Sequence, residues 1–365
     1  VPQLTDAAPE WIDRALAENL NGTVQYEQLH INGNLDVTAR DVIVRDAEGR
    51  TVAALDGLTV GWTIPRLAAY LLTDREALSV IDRIELDAPT VYMREEADRS
   101  WNINTLIKEK DTQTPFSLRA KIAVNDGRAE LTFQDEPPLS LQSIQALVDL
   151  AEYPQVTGDV RLAHASGSLH ARGSYTSADD FALQAEGDRT PLMLAMRVLP
   201  QDIPLQIMAG EAREWTADVS RREGVLSYRV KGRLEDGALT YDDTYHVADL
   251  TGDVEVDPRQ VSFWRTKLTV NEQPLEAQGR VLLQADPALD VDVRTTGVEA
   301  NRLAAIPLQG KVAGNVHIGG TTTDLAADGA LMMADGRWED TPISRAFARF
   351  TYRSGVVRIA DAVTG

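Results

Sequence analysis

The stretch Gly252 to Asp257, GDVEVD, decides how the rest of the chain is read. On an extended backbone Val254 and Val256 fall on one side, and Asp253, Glu255 and Asp257 fall on the other. Such a strand is wet on one face only. The same rhythm returns at Val261 and Phe263, Leu268 and Val270, Val281 and Leu283, then Leu289, Val291 and Val293, and finally Val316 and Ile318. Gly, Asn, Asp or Pro separates these segments, which predicts antiparallel hairpins joined by tight turns.

An all-β array of this kind has one apolar face to dispose of. It can be a sandwich whose inward residues pack on each other, or one continuous sheet curled about its long axis that leaves an open apolar trough. Alternation alone favours the sandwich. The inward set is dominated by Val, Leu, Ala and Ile, with aromatics at only 6%, and this leans towards the trough. The trough reading places Val254, Val256, Phe263, Leu268, Val270, Val281, Leu283, Val291 and Val293 inward. An unfilled apolar space is expected beside Val256, Phe263 and Leu283, with Asp253, Glu255, Asp290 and Asp292 outside. Exposing an acyl chain to water costs about 0.8 kcal/mol per CH₂, so a lined trough has an obvious use as a path for lipid tails.

Helical signals are few. Pro9 to Leu20 and Pro65 to Ile81 begin with proline and space Trp11, Ala15 and Leu16, or Leu67, Leu71 and Leu78, helically. Ser100 to Lys110 and Leu141 to Leu150 are shorter candidates. The expected fold is therefore all-β, an elongated curled antiparallel sheet in the form of a groove or taco, with a small helical N-terminal element. A loose repeat marks Asp126-Gly127, Asp236-Gly237 and Asp335-Gly336, spaced 110 and then 99 residues apart. Each is expected to open a strand after a turn in which glycine takes positive φ.

Composition narrows the functions. The 365 residues make two or three domains or one long array, and 43% apolar with 25% charged residues is the balance of a folded chain. A net charge of -20 repels phosphate backbones and anionic lipid surfaces alike, and so disfavours a nucleic-acid partner. The absence of cysteine removes disulfides, thiolate nucleophiles and Cys-based zinc sites. The longest apolar run, Leu67 to Leu72, is far short of the roughly 20 residues that span a bilayer. The opening at Val1 without methionine suggests a piece of a longer protein, with any anchor upstream.

Catalytic constellations do not emerge. His30, His164, His170, His246 and His317 are scattered, never at the i, i+4 spacing of a helical zinc site, and each reads as a solvent-facing strand residue. No Gly-x-Ser-x-Gly elbow occurs; Gly314, Gly319 and Gly320 lack dinucleotide spacing, and no Walker lysine follows a glycine loop. Asp290 and Asp292 could form a carboxylate pair, but their alternation with Leu289, Val291 and Val293 reads as a wetted strand face. No enzyme activity, metal or cofactor is expected.

Two groups of motifs carry a family resemblance. Leu29 to Asp46, LHINGNLDVTARDVIVRD, with Asp41-Val42 and Gly49 in the pattern "nv.l.d..G", resembles the opening strands of the AsmA-like proteins of diderm bacterial envelopes. So does Ile84 to Ile103, through Pro89, Val91, Arg94, Trp101 and Asn102, followed by Leu106, although Arg99-Ser100 stands where the family commonly has Gly. From Gly232 onward, DGALTYDDTYHVADLTGDVEVD, VNEQPLEAQGRV, GNVHIGG and DGRWEDTPISRAFARFTYRSGVVRI resemble the TamB branch. The resemblance divides the chain into an AsmA-like region, 1–115, and TamB-like groove repeats, 116–365. It implies a non-catalytic periplasmic conduit for phospholipid acyl chains, anchored to the inner membrane through an N-terminal segment lying outside this sequence. It also implies an outer-membrane protein or further repeats at the C-terminal end, and possible help in outer-membrane protein assembly. The alternative is a structural or adhesive β-protein with a dry core.

Overall fold

A computed structural model describes residues 20–32, 36–63, 80–106, 108, 118–134, 137–164, 167–193, 205–241, 245–303, 308–339 and 341–364. The strands run β1 (Gly22–Gln25), β2 (Gln28–Ile31), β3 (Val37–Asp46), β4 (Thr51–Trp62), β5 (Ile81–Asp87), β6 (Thr90–Arg94), β7 (Lys121–Thr132) and β8 (Leu139–Asp149). They continue through β9 (Val156–His164), β10 (Gly167–Ser177), β11 (Asp180–Asp188), β12 (Thr190–Pro191), β13 (Leu205–Arg222), β14 (Val225–Tyr241) and β15 (Tyr245–Val256). After β16 (Gln260–Val270), β17 (Gln273–Leu282) and β18 (Ala288–Glu299) comes one helical turn, α1 (Ala300–Leu303). The last strands are β19 (Leu308–Gln309), β20 (Lys311–Thr321), β21 (Leu325–Trp338), β22 (Thr341–Arg353) and β23 (Val356–Thr364). The protein is all-β, and its strands belong to one large mixed sheet, mostly antiparallel.

Packing divides the chain into two units, Val1–Ala185 with Arg221–Val225, and Glu186–Ser220 with Leu226–Gly365. Strands β7 to β10, which lie beyond the 115–116 boundary drawn from the family resemblance, thus pack with the first unit. There β3 pairs with β1, β2 and β4, and β4 with β5 and β6; β5 and β6 both run parallel to β7, from which an antiparallel meander leads to β10. This unit buries an apolar cluster that includes Val37, Ala39, Val42, Val52, Ile81, Ala129, Phe133 and Leu150. In the second unit β14 to β18 are successive antiparallel neighbours, β18 pairs with β20, and the meander resumes through β23.

Several of the residues that carry the resemblance have structural roles in the first unit. Asn102 is buried, accepts the Arg94 N–H at 2.8 Å and donates to the Tyr92 carbonyl at 3.0 Å, so it locks a 3-10 turn (Asn102–Thr105) onto β6. Trp101 meets Phe133 edge to face, ring centroids 5.7 Å apart. Arg99 has φ +64, a conformation that glycine adopts without strain. Asp46 closes the β3–β4 hairpin, whose Gly49 has φ +78.

Two expectations need correction. Leu141 to Leu150 is strand β8, not helix. Ser143 takes φ +50 between Leu141, opposite Ala129, and Ile144, opposite Gly127, and this inserted residue turns a two-residue rhythm into a spacing of three that imitates a helix. The Asp-Gly pairs do not follow turns; they lie inside β7, β14 and β21, and the aspartates Asp126, Asp236 and Asp335 take the positive φ of 50 to 53. Their glycines answer a crowding demand instead, since a Cβ on Gly127 would meet Val124 at 2.9 Å and one on Gly237 would meet Leu250 at 3.0 Å. The small N-terminal helical element is not shown among the described residues. Of Ser100 to Lys110 the structure shows the 3-10 turn, while Pro9 to Leu20 and Pro65 to Ile81 lie outside the described residues apart from Leu20, Val80 and Ile81.

Candidate functional site

Cross-strand partners in an antiparallel sheet share a face, so register assigns the inward set directly. One row joins Gly232, Val254, Phe263, Gly279, Val291, Ile318, Ala327 and Tyr352 across β14 to β22. A second joins Val230, Val256, Val261, Val281, Leu289 and Gly320. A third runs Thr266, Ala277, Val293, Val316, Gly329 and Phe350. Leu268 and Val270 reach the same face although their number parity differs from that of Phe263. Arg265, at φ +52, is an extra residue between Phe263 and Thr266 that resets the phase. Leu283 is the exception: β17 ends at Leu282, and Leu283 is 42% exposed in the following turn.

The face is apolar and, among the described residues, only half-buried. Eight of the nine residues predicted to point inward are half-buried, and none is buried. Among the described residues the buried apolar side chains of the second unit are Val298, Val312 and Met333. Backbone crowding accompanies these rows. A Cβ on Gly279 would lie 2.2 Å from the Asp290 carbonyl oxygen, and one on Gly329 would lie 2.4 Å from that of Asn315. Glycine on this face lets neighbouring strands approach closer than side chains permit, as at a tightly bent sheet.

The opposite face carries charge. Asp253 pairs with Arg265, Glu255 with Lys231 at 3.3 Å and Asp290 with Arg280 at 3.0 Å, while Asp292 meets the His317 ring at 3.0 Å, so all four acids lie on the face opposite the apolar rows, Asp253 largely buried there. The bond to Asp292 holds the His317 imidazolium above the usual histidine range. Of the other histidines, His170 meets Asp159 at 3.1 Å, and that bond draws the Asp159 carboxyl below its usual range. His164 departs from expectation. It stands on the apolar face opposite Leu141, with Nε2 buried and lacking a hydrogen-bond partner among the described residues, because β9 keeps strict alternation up to its last residue.

A cavity of about 1080 Å³ lies along the third row, bordered by polar-face neighbours including Lys267, Glu276, Arg294, Asn315, Asp292 and His317. It touches Val293 but not Val256, Phe263 or Leu283, so it is not the apolar space expected beside those three. Among the described residues no cluster of His, Asp and Glu could hold a metal ion, and no helix is long and apolar enough to cross a membrane. What this region can do chemically is accept apolar surface on one face while the other stays hydrated. Compared with known protein families, curated proteins and solved structures, the chain matches none.

Proposed function

We propose that the second unit is part of a non-enzymatic conduit for phospholipid acyl chains, in which tails lie along the apolar rows and headgroups stay in water. The observation that carries this reading is the half-buried apolar face: cross-strand rows rich in Val, Ile, Leu and Phe span eight strands, yet among the described residues the predicted inward side chains remain half-exposed. A dry sandwich or adhesive core, the alternative, would bury them beneath a second layer. At about 25 cal/mol per Å², a tail laid along such a face gains several kcal/mol over water. The crowded glycines of these rows support a sheet curled towards its apolar side into a groove. The resemblance to AsmA-like and TamB proteins adds the wider setting: a periplasmic protein, anchored to the inner membrane by a segment outside this sequence and meeting an outer-membrane protein or further repeats beyond β23. Direction comes from gradients or partners, since the sequence offers no nucleotide-binding motif.

The test is native mass spectrometry of protein extracted gently from cells. Co-purified phospholipid, lost when Val293 and Val316 are both changed to Asp, is the expected result. A lipid-free protein with those side chains protected from hydroxyl-radical labelling would favour the dry core.

A further inference from the structure

From the outward face of β21 to β23 we infer a docking surface for an anionic lipid bilayer. Strand β22, TPISRAFARFTYR, contains three arginines and no acid. Register places Arg345, Phe347, Arg349 and Arg353 on its outward face, opposite the apolar rows. Phe347 is the direct partner of Met332 on one side and Val363 on the other, which are 58% and 67% exposed. Arg358 stands opposite Thr351 on the same face. Arg349 is paired with Asp361 at 3.7 Å, whereas Arg345, Arg353 and Arg358 have no ion pair among the described residues.

Asp328, opposite Thr351, and Asp361 share this face, so the four arginines leave the patch with a net positive charge in a chain whose net charge is -20. Repulsion between that total and an anionic membrane does not decide the matter, because at physiological ionic strength charges beyond about 8 Å are screened and the local arginines dominate. Exposed apolar side chains interleaved with arginine suit the headgroup boundary. Met332, Phe347 and Val363 enter the apolar edge, and the guanidinium groups bind phosphates in bidentate fashion. An acidic protein surface would satisfy the arginines and leave the methionine and valine without purpose.

Flotation of the full chain with vesicles of three parts phosphatidylcholine to one part phosphatidylglycerol tests this. Binding is expected at low salt, weak binding with phosphatidylcholine alone, and release by high salt. Exchanging Arg345 and Arg353 together for Gln lowers partitioning about 30-fold, roughly fivefold for each arginine. Met332→Ser weakens it with the charge intact. Lys311→Gln, which removes an exposed cation outside both the patch and the apolar rows, leaves flotation unchanged, and the arginine variants keep the co-purified phospholipid of the conduit test, so this surface and the conduit reading stand or fall separately. Equal binding to neutral vesicles, or undiminished binding by the arginine variants, overturns the inference. So does a salt-sensitive dimer with no vesicle binding, which would give the patch to the acidic surface of a second copy.

Discussion

Phe263 of β16 stands directly opposite Gly279 of β17, and Gly279 in turn stands opposite Val291 of β18. The bare glycine between two apolar residues is a steric necessity. Its φ is +151, and a Cβ there would fall 2.2 Å from one backbone oxygen and 2.7 Å from the Val291 Cα. Gly279→Ala is therefore expected to destabilise the protein by about 3 kcal/mol, through backbone strain and overpacking. Urea unfolding checks this. An unchanged midpoint would mean that β17 and β18 are not held so close.

Asp46 makes the second prediction. It is buried at the end of β3, accepts the backbone N–H groups of Glu48 and Arg50 at 3.1 and 2.8 Å, and bonds the Arg50 Nε at 2.7 Å. Burial opposes its ionisation, but the bonds from Arg50 outweigh burial and hold the carboxyl below the usual range. A lowered folded pKa contributes stability that is present above the unfolded value near 3.9 and is lost as pH falls through the folded value. Asp46→Asn should cost about 2 kcal/mol at neutral pH, with the gap from wild type closing below about pH 4. A gap independent of pH would assign the effect to shape rather than charge.

His317 titrates in the opposite sense. Its pKa is raised by Asp292, so its contribution is complete below the unfolded value near 6.5 and is lost as pH rises through the raised folded value. With the ring on a partly exposed face, the effect is small. Thermal melting of wild type against His317→Gln should show a gap at pH 5.5 that narrows steadily above pH 7. A gap that widens with pH would show that the neutral ring is the stabilising form.

How much of this was legible in the sequence depends on the backbone at each place. Rows through Val254, Val256, Val281, Val291 and Val293 follow from alternation because β15, β17 and β18 keep their phase where those residues lie. Phase shifts hide the rest. Asp249 and Arg265 take φ +52, and nothing in their side chains announces it, so although Phe263 and Leu268 each read as inward in their own segments, the shift that reconciles their parity and adds Thr266 to the same face emerges only from register. Ser143 did worse and disguised β8 as a helix. The arginines of β22 were visible as letters, but their gathering with Met332 and Val363 on one face depends on which strands are neighbours, and composition does not contain that.

The last prediction separates the two readings of the apolar face. Val256→Asp and Val281→Asp place a carboxylate in the row Val230, Val256, Val261, Val281 and Leu289. In an open groove the new charge reaches water at the edge, so folding is only moderately hurt, about 1 to 2 kcal/mol. Every passing tail, however, must then cross a hydrated charge or desolvate it, a barrier of several kcal/mol. Beneath a second layer the order reverses, because the carboxylate is buried without a partner and the fold fails first. Thermal melting and photo-crosslinking of lipid at positions on either side of the substitution distinguish the cases. Folded variants with lipid labelling lost beyond the charge fit the conduit. Normal labelling beyond it, or unfolding as the main effect, would count against it.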